Sequence, residues 1–386
     1  IIAMVPSRLM KRIALGAGAL AAAGVVSQAS GLAMMSEARA PAYSSLSQRL
    51  KQIADLKRVS ALAEWDQLVM MPDRDETHAE RGDQLATLAA VIHERETAKD
   101  LGELIARAEG EKVLDSRAAA VLREARRQYD RATKIPPLLA EKKAKLASSA
   151  YAAWAKARAA NDFAAFKPVL AECFAVAAEV ARCTRTNEAE LYDVAMAEFE
   201  PGMTAARCEE LFAETRAALK PLIAAVLASP HQPSSAPLEG NFPTAKQLEL
   251  NEAIVRDLGF AHGRIDVSVH PFTTSFSPAD VRITSRFSDK EWYQGLAGSV
   301  HEAGHAMYES ALGRSGLPVD EALSMGVHES QSLFWERHVG LSRAFWKYAS
   351  PKLRSVLGVR ATDEEVYAAT NKVSPSLIRV EADELT

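Results

Sequence analysis

Leu296-Ala297-Gly298-Ser299-Val300-His301-Glu302-Ala303-Gly304-His305-Ala306-Met307-Tyr308 is the stretch on which the reading of this chain turns. It is compatible with a helix throughout, and it leaves an apolar face beside two histidines four residues apart. On a helix such residues share one face, so His301 and His305 can offer two imidazole nitrogens to one metal ion. Glu302 then sits beside that ion, placed to take a proton from a bound water. A catalytic zinc takes three protein ligands and keeps one position open, so a third ligand must come from elsewhere. The following helix offers Asp320, Glu321, His328, Glu329, Glu336 and His338. Glu329, in Gly326-Val327-His328-Glu329-Ser330-Gln331, would complete a two-His, one-Glu set. Adjacent helical residues diverge by about 100°, so only one of His328 and Glu329 can face the ion. Spacing alone does not choose between them.

Zinc in such a site lowers the pKa of its water and polarises a peptide carbonyl, while Glu302 accepts the water proton and passes it to the leaving amine. Peptide-bond hydrolysis is therefore the expected reaction class. Around the motif, residues 266–276 and 280–287 alternate and are rich in Val, Ile, Thr and Phe, with Ser277-Pro278-Ala279 between them. They predict a β-hairpin whose edge strand could align a peptide. A helix is expected from near Asp289 through the His pair, ended by the segment 313–318, and another from about Val319 into Phe345. Upstream, residues 43–227 carry apolar positions at three- and four-residue spacing, broken at Pro136-Pro137 and Pro201-Gly202. A turn-rich loop follows at 229–237. The expected architecture is mainly α, with a small antiparallel hairpin or sheet beside the metal-binding helix.

The 386 residues are enough for a large core, and 46 Lys+Arg against 50 Asp+Glu leave a formal charge of -4. That balance gives no support for nucleic acid or an anionic membrane surface as partner. Cys173, Cys183 and Cys208 show no zinc-knuckle spacing and read as small buried apolar side chains. The first forty residues differ from the rest. Arg8, Lys11 and Arg12 precede an apolar run from Ile13 to Val26, with small residues at Ser27 and Ala29. That is the layout of a secretory signal, too short for a confident membrane span. The competing reading is a mis-assigned start, with translation beginning at Met34 or Met35.

Six segments taken together resemble the carboxypeptidase Taq family of zinc metallocarboxypeptidases. They are Trp65-Asp66-Gln67 with Met71-Pro72; His270-Pro271-Phe272; Asp280-Val281-Arg282-Ile283-Thr284; the His301–His305 motif; His328-Glu329-Ser330-Gln331; and Ile378-Arg379-Val380-Glu381-Ala382-Asp383. They stand in the family's order from about residue 43 to 386. The resemblance implies metal ligands at His301, His305 and Glu329, a general base at Glu302, and zinc, or cobalt, as the metal. It also implies a helical gluzincin-type fold like that of neurolysin and angiotensin-converting enzyme, with a deep groove, usually as a homodimer. The implied activity is removal of single C-terminal residues with broad specificity. Arg379 takes the place of the arginine that grips the substrate's terminal carboxylate, a task suited to a planar fork of donors. His270 is a further substrate-site candidate, with a structural turn beside Pro271 as the equal alternative, and Arg282 is expected to brace the hairpin through an ion pair. Family members usually continue for another hundred or so residues, so residues 41–386 read as a catalytic domain incomplete at its C-terminus. The family is typically cytoplasmic; a genuine leader would instead imply export to the periplasm. An endopeptidase or dipeptidase on the same fold, or an inactive fragment that only binds metal, are the alternative readings.

Overall fold

Helices α1 (Pro41–Val69), α2 (Asp75–Thr97), α3 (Lys99–Glu109), α4 (Ser116–Ala132), α5 (Pro137–Ala160) and α6 (Phe163–Thr184) follow one another through the first half of the chain. The computed structural model describes residues 40–112 and 115–375. Residues 1–39, where a leader or mis-assigned start is expected, and the segment holding Arg379 lie outside the described residues. The helix breaks fall where the sequence placed them. Pro137 opens α5, where its missing N–H costs no helical hydrogen bond, and Gly202 takes the positive φ of 88° that follows the short α7 (Leu191–Met196). Leu46, Leu50, Ile53, Leu101, Ile105, Val121 and Leu122 bury the shared face of α1, α3 and α4. Next come α8 (Ala205–Leu227) and α9 (Thr244–Leu258).

The sheet is a correction in detail to the expected hairpin. Strands β2 (Thr273–Ser277) and β3 (Asp280–Ser285) form the antiparallel pair, but the first arm is split. A separate strand β1 (Ile265–Val267) lies parallel to β3 on its other side, giving the order β1-β3-β2. The cause is local. Pro271 has no N–H for a ladder, and the chain from Ser268 to Phe272 is tied instead to Thr284. Ser268 Oγ lies 2.6 Å from Thr284 Oγ1, and the Phe272 N–H donates to the same hydroxyl at 3.0 Å. Ile283 is thus opposite Ile265 on one side and Thr273 on the other, fully buried.

Helix α10 (Tyr293–Ala311) carries the His pair and lies on this sheet. Its Ala303 and Ala306 join Val255, Phe260, Ile265, Val281 and Ile283 in one core, while Leu296 and Val300 join Trp292, Trp346, Leu250, Ile254 and Leu353 in another. The helix starts later than expected because Asp289 is engaged elsewhere, accepting from the N–H of Thr244 at the start of α9. The single helix expected from 319 to 345 is also broken. A 3-10 turn (Pro318–Asp320) precedes α11 (Met325–Leu333), which Ser324 caps by accepting from the Val327 N–H at 3.2 Å. α11 runs into a π-helical turn (Phe334–Val339). Ser342 then caps α12 (Arg343–Leu357), and α13 (Asp363–Thr370) follows. No helix among the described residues is long and apolar enough to cross a membrane.

Candidate metal centre

The backbones of α10 and α11 approach so closely at Gly304 that a β-carbon there would stand 2.7 Å from the Gln331 carbonyl oxygen and the Ser332 Cα. Glycine is the residue that permits this crossing. It brings Glu329 beside the His pair. His301 Nε2 lies 3.6 Å from Glu329 Oε1, and His305 Nε2 lies 3.4 Å from Glu329 Oε2. One donor atom from each of the three residues falls within 4.8 Å of the others. Donors about 2.0–2.2 Å from a tetrahedral ion stand roughly 3.4 Å apart, so this set fits a divalent metal such as zinc. The hydrogen bond with His305, with the His301 charge adding to it, holds the Glu329 carboxyl below its ordinary range.

Glu336, one of the six candidates for the third ligand, sits behind the pair instead. His301 Nδ1 donates to Glu336 Oε2 at 2.8 Å, which leaves Nε2 aimed at the shared position. Burial opposes a charge on His301, but the Glu336 hydrogen bond and the carboxylates of Glu302 and Glu329 outweigh it and raise its pKa. His328 faces away from the shared position, with Nε2 2.9 Å from Glu309 Oε1. Asp320, Glu321 and His338 are not brought to the site. Asp320 binds Arg117, Glu321 accepts from Gln128, and His338 packs on Phe334.

Glu302 is 5% exposed. Burial pushes its carboxyl above the ordinary carboxylate range, opposed in part by a Thr273 hydrogen bond and by His301, His305 and His270. Thr273 Oγ1 lies 2.6 Å from Glu302 Oε2, so the first residue of β2 fixes the carboxyl of α10. Nothing in the sequence singled out Thr273; its only signal is its place directly after His270-Pro271-Phe272. His270 is exposed, its Nδ1 against the Pro271 carbonyl at 2.6 Å, and close enough to Glu302 to bias its charge. Arg282 pairs with Asp280 through two contacts of 2.9 Å and lies over the rings of Trp65 and Phe276, as a brace for the hairpin should. A cavity of about 410 Å³ runs from Thr273 and Glu309 along β2 to Lys57 and Arg58 on α1.

Residues 45–386 match the family described as carboxypeptidase Taq (M32) metallopeptidase. Thermostable carboxypeptidase 1 of Thermus thermophilus is 38% identical over 364 residues, covering 89% of this chain and 71% of that protein. Carboxypeptidase 1 of Bacillus subtilis is 34% identical over 345 residues, covering 87% and 68%. The crystal structure of the M32 carboxypeptidase from Deinococcus radiodurans R1 superposes with a TM-score of 0.80 at 36% identity, covering 89% of this chain and 70% of that one. The chain belongs to the carboxypeptidase Taq (M32) family, and it is a metallocarboxypeptidase, a peptide-bond hydrolase that uses a divalent metal.

Proposed function

We propose that this protein is a zinc carboxypeptidase that removes single C-terminal residues with broad specificity, with His301, His305 and Glu329 as metal ligands and Glu302 as general base. The observation that carries this reading is the convergence of two imidazole nitrogens and one carboxylate at 3.4 and 3.6 Å, with the buried Glu302 carboxyl on the same helix turn. His301, His305 and Glu329 would hold a zinc ion, which would supply Lewis acidity and a more acidic bound water near neutral pH. Glu302, held in place by Thr273, would take the water proton and hand it to the leaving amine. His270 stands near enough to Glu302 to contact substrate beside the scissile bond. Arg379, outside the described residues, is assigned to the substrate's terminal carboxylate. Among the described residues β2 is an edge strand, and it borders the cavity that starts beside Thr273, which suits an extended peptide. A homodimeric, cytoplasmic enzyme belongs to the same reading.

A peptide offered as free acid and as C-terminal amide tests the claim. Cleavage of the acid only, one residue at a time, is expected. Equal rates on both forms would turn the reading toward an endopeptidase.

A further inference from the structure

The two histidines of α10 sit one turn apart, yet they are held by different means. His301 has a hydrogen-bond partner behind it in Glu336. His305 is 8% exposed, and its Nδ1 is buried with no hydrogen-bond partner among the described residues. An imidazole with nothing on its second nitrogen is free to turn about its Cβ–Cγ bond, a soft torsion, unless packing prevents it. The group that packs against it is His328. The two rings stack with centroids 4.4 Å apart and planes 29° from parallel. His328 is itself clamped, since its Nε2 lies 2.9 Å from Glu309 Oε1 and the Tyr308 ring meets it edge-on at 5.5 Å. Tyr308 and Glu309 stand three and four residues after His305, so they rise on the same face of α10. His328 directly precedes Glu329. One dipeptide of α11 therefore delivers both a donor to the shared position and a flat ring to the back of a second donor.

We propose that His328 is a positioning residue that fixes the plane of the His305 imidazole by stacking, with Glu309 and Tyr308 holding His328 in turn. It thereby sets the affinity and geometry of the metal site without binding the ion. The proposal rests on the reading of His301, His305 and Glu329 as ligands. Its test does not use turnover. Zinc affinity is measured by competition with a chromophoric chelator, and ligand geometry by the visible spectrum of the cobalt-substituted protein. His328→Ala is expected to weaken zinc binding about 10–100-fold, the range typical for groups that orient ligands, and to alter the cobalt spectrum. His328→Phe keeps a stacking ring without the bond to Glu309, and should stay closer to wild type than to His328→Ala in both. If His328→Ala fails to fold, His328→Leu, which keeps bulk but not a flat ring, replaces it with the same expectation. Wild-type affinity and spectrum in the ring-less variant, or a Phe variant as impaired as it, would overturn the proposal. Glu329→Ala in the same assay separates the two levels. Its loss of zinc upholds the ligand set whatever His328 does, and its retention of zinc at wild-type affinity overturns the ligand set itself.

Discussion

Helices α8 and α10 are of similar length and opposite character. α8 has 23 residues and buries none of them; Phe212, Leu222 and Leu227 face outward. α10 has 19 residues and buries Gly295, Leu296, Ser299, Val300, Glu302, Ala303, Gly304, His305 and Ala306. Propensity does not separate them: α10 contains three glycines, each worth about 1 kcal/mol against a helix, and α8, rich in Ala, Leu and Glu, carries Pro221 in its interior at about 3 kcal/mol. The glycines of α10 are where neighbours come close. A β-carbon on Gly295 would stand 2.7 Å from the Phe287 ring, and one on Gly298 3.3 Å from Ser285 Oγ; Gly304 meets the α11 backbone. The helix that carries the His pair is packed on all its close-approach positions, while the outer helix buries none of its residues.

The comparison can be broken first at Gly304. Gly304→Ala adds favourable propensity but forces α10 and α11 apart, so a loss of about 1–3 kcal/mol in thermal or denaturant unfolding is expected. A stabilised variant would mean that the close approach is not a constraint. Next in size is Glu336→Gln, which should weaken zinc binding about 10–100-fold by loosening His301; an unchanged affinity in a chelator titration would remove Glu336 from the site.

A smaller effect is expected where the loop after α10 is pinned. Burial works against the charge of Asp320, but hydrogen bonds from Ser315 and Arg117 outweigh it and leave the carboxyl below its ordinary range. Its stabilisation is therefore present above the unfolded-state pKa of about 4 and fades as pH falls through the lower folded-state value. Because Arg117 is half exposed, the contribution is about 1 kcal/mol. Unfolding of Asp320→Asn followed against pH should show that loss at neutral pH and a shallower decline below about pH 4 than wild type. Parallel curves would contradict it. Least of all should happen on α8, where Phe212→Ser is expected to stay within about 0.5 kcal/mol of wild type. A large loss there would show that this face is covered in solution.

The same contrast explains what was legible in the sequence. Helices such as α4 and α5 announced themselves through period and composition, and the prolines between them marked the breaks. The shared face of His301 and His305 was equally plain, because four-residue spacing on a helix fixes it. What stayed hidden depended on distant partners. The hairpin arm was split by Pro271 together with a side chain of β3, and α10 began late because Asp289 binds the start of α9. His328 and Glu329 could not be told apart because the rotation of α11 about its own axis is set by the crossing at Gly304. Glu336 stands seven residues, or two turns, after Glu329, a spacing that puts it on the same side but does not say that it reaches His301 Nδ1. Thr273 gave no sign in its residue type.

The central claim is that Glu302 works as a base beside a metal held by its neighbours, and Glu302→Gln tests it most directly. Zinc content and kcat/KM on a free-acid peptide are measured on the variant and on wild type. The account predicts zinc retained in full, with turnover lowered at least about 100-fold, the lower end for loss of a positioned base. Wild-type turnover in the zinc-loaded variant would contradict it.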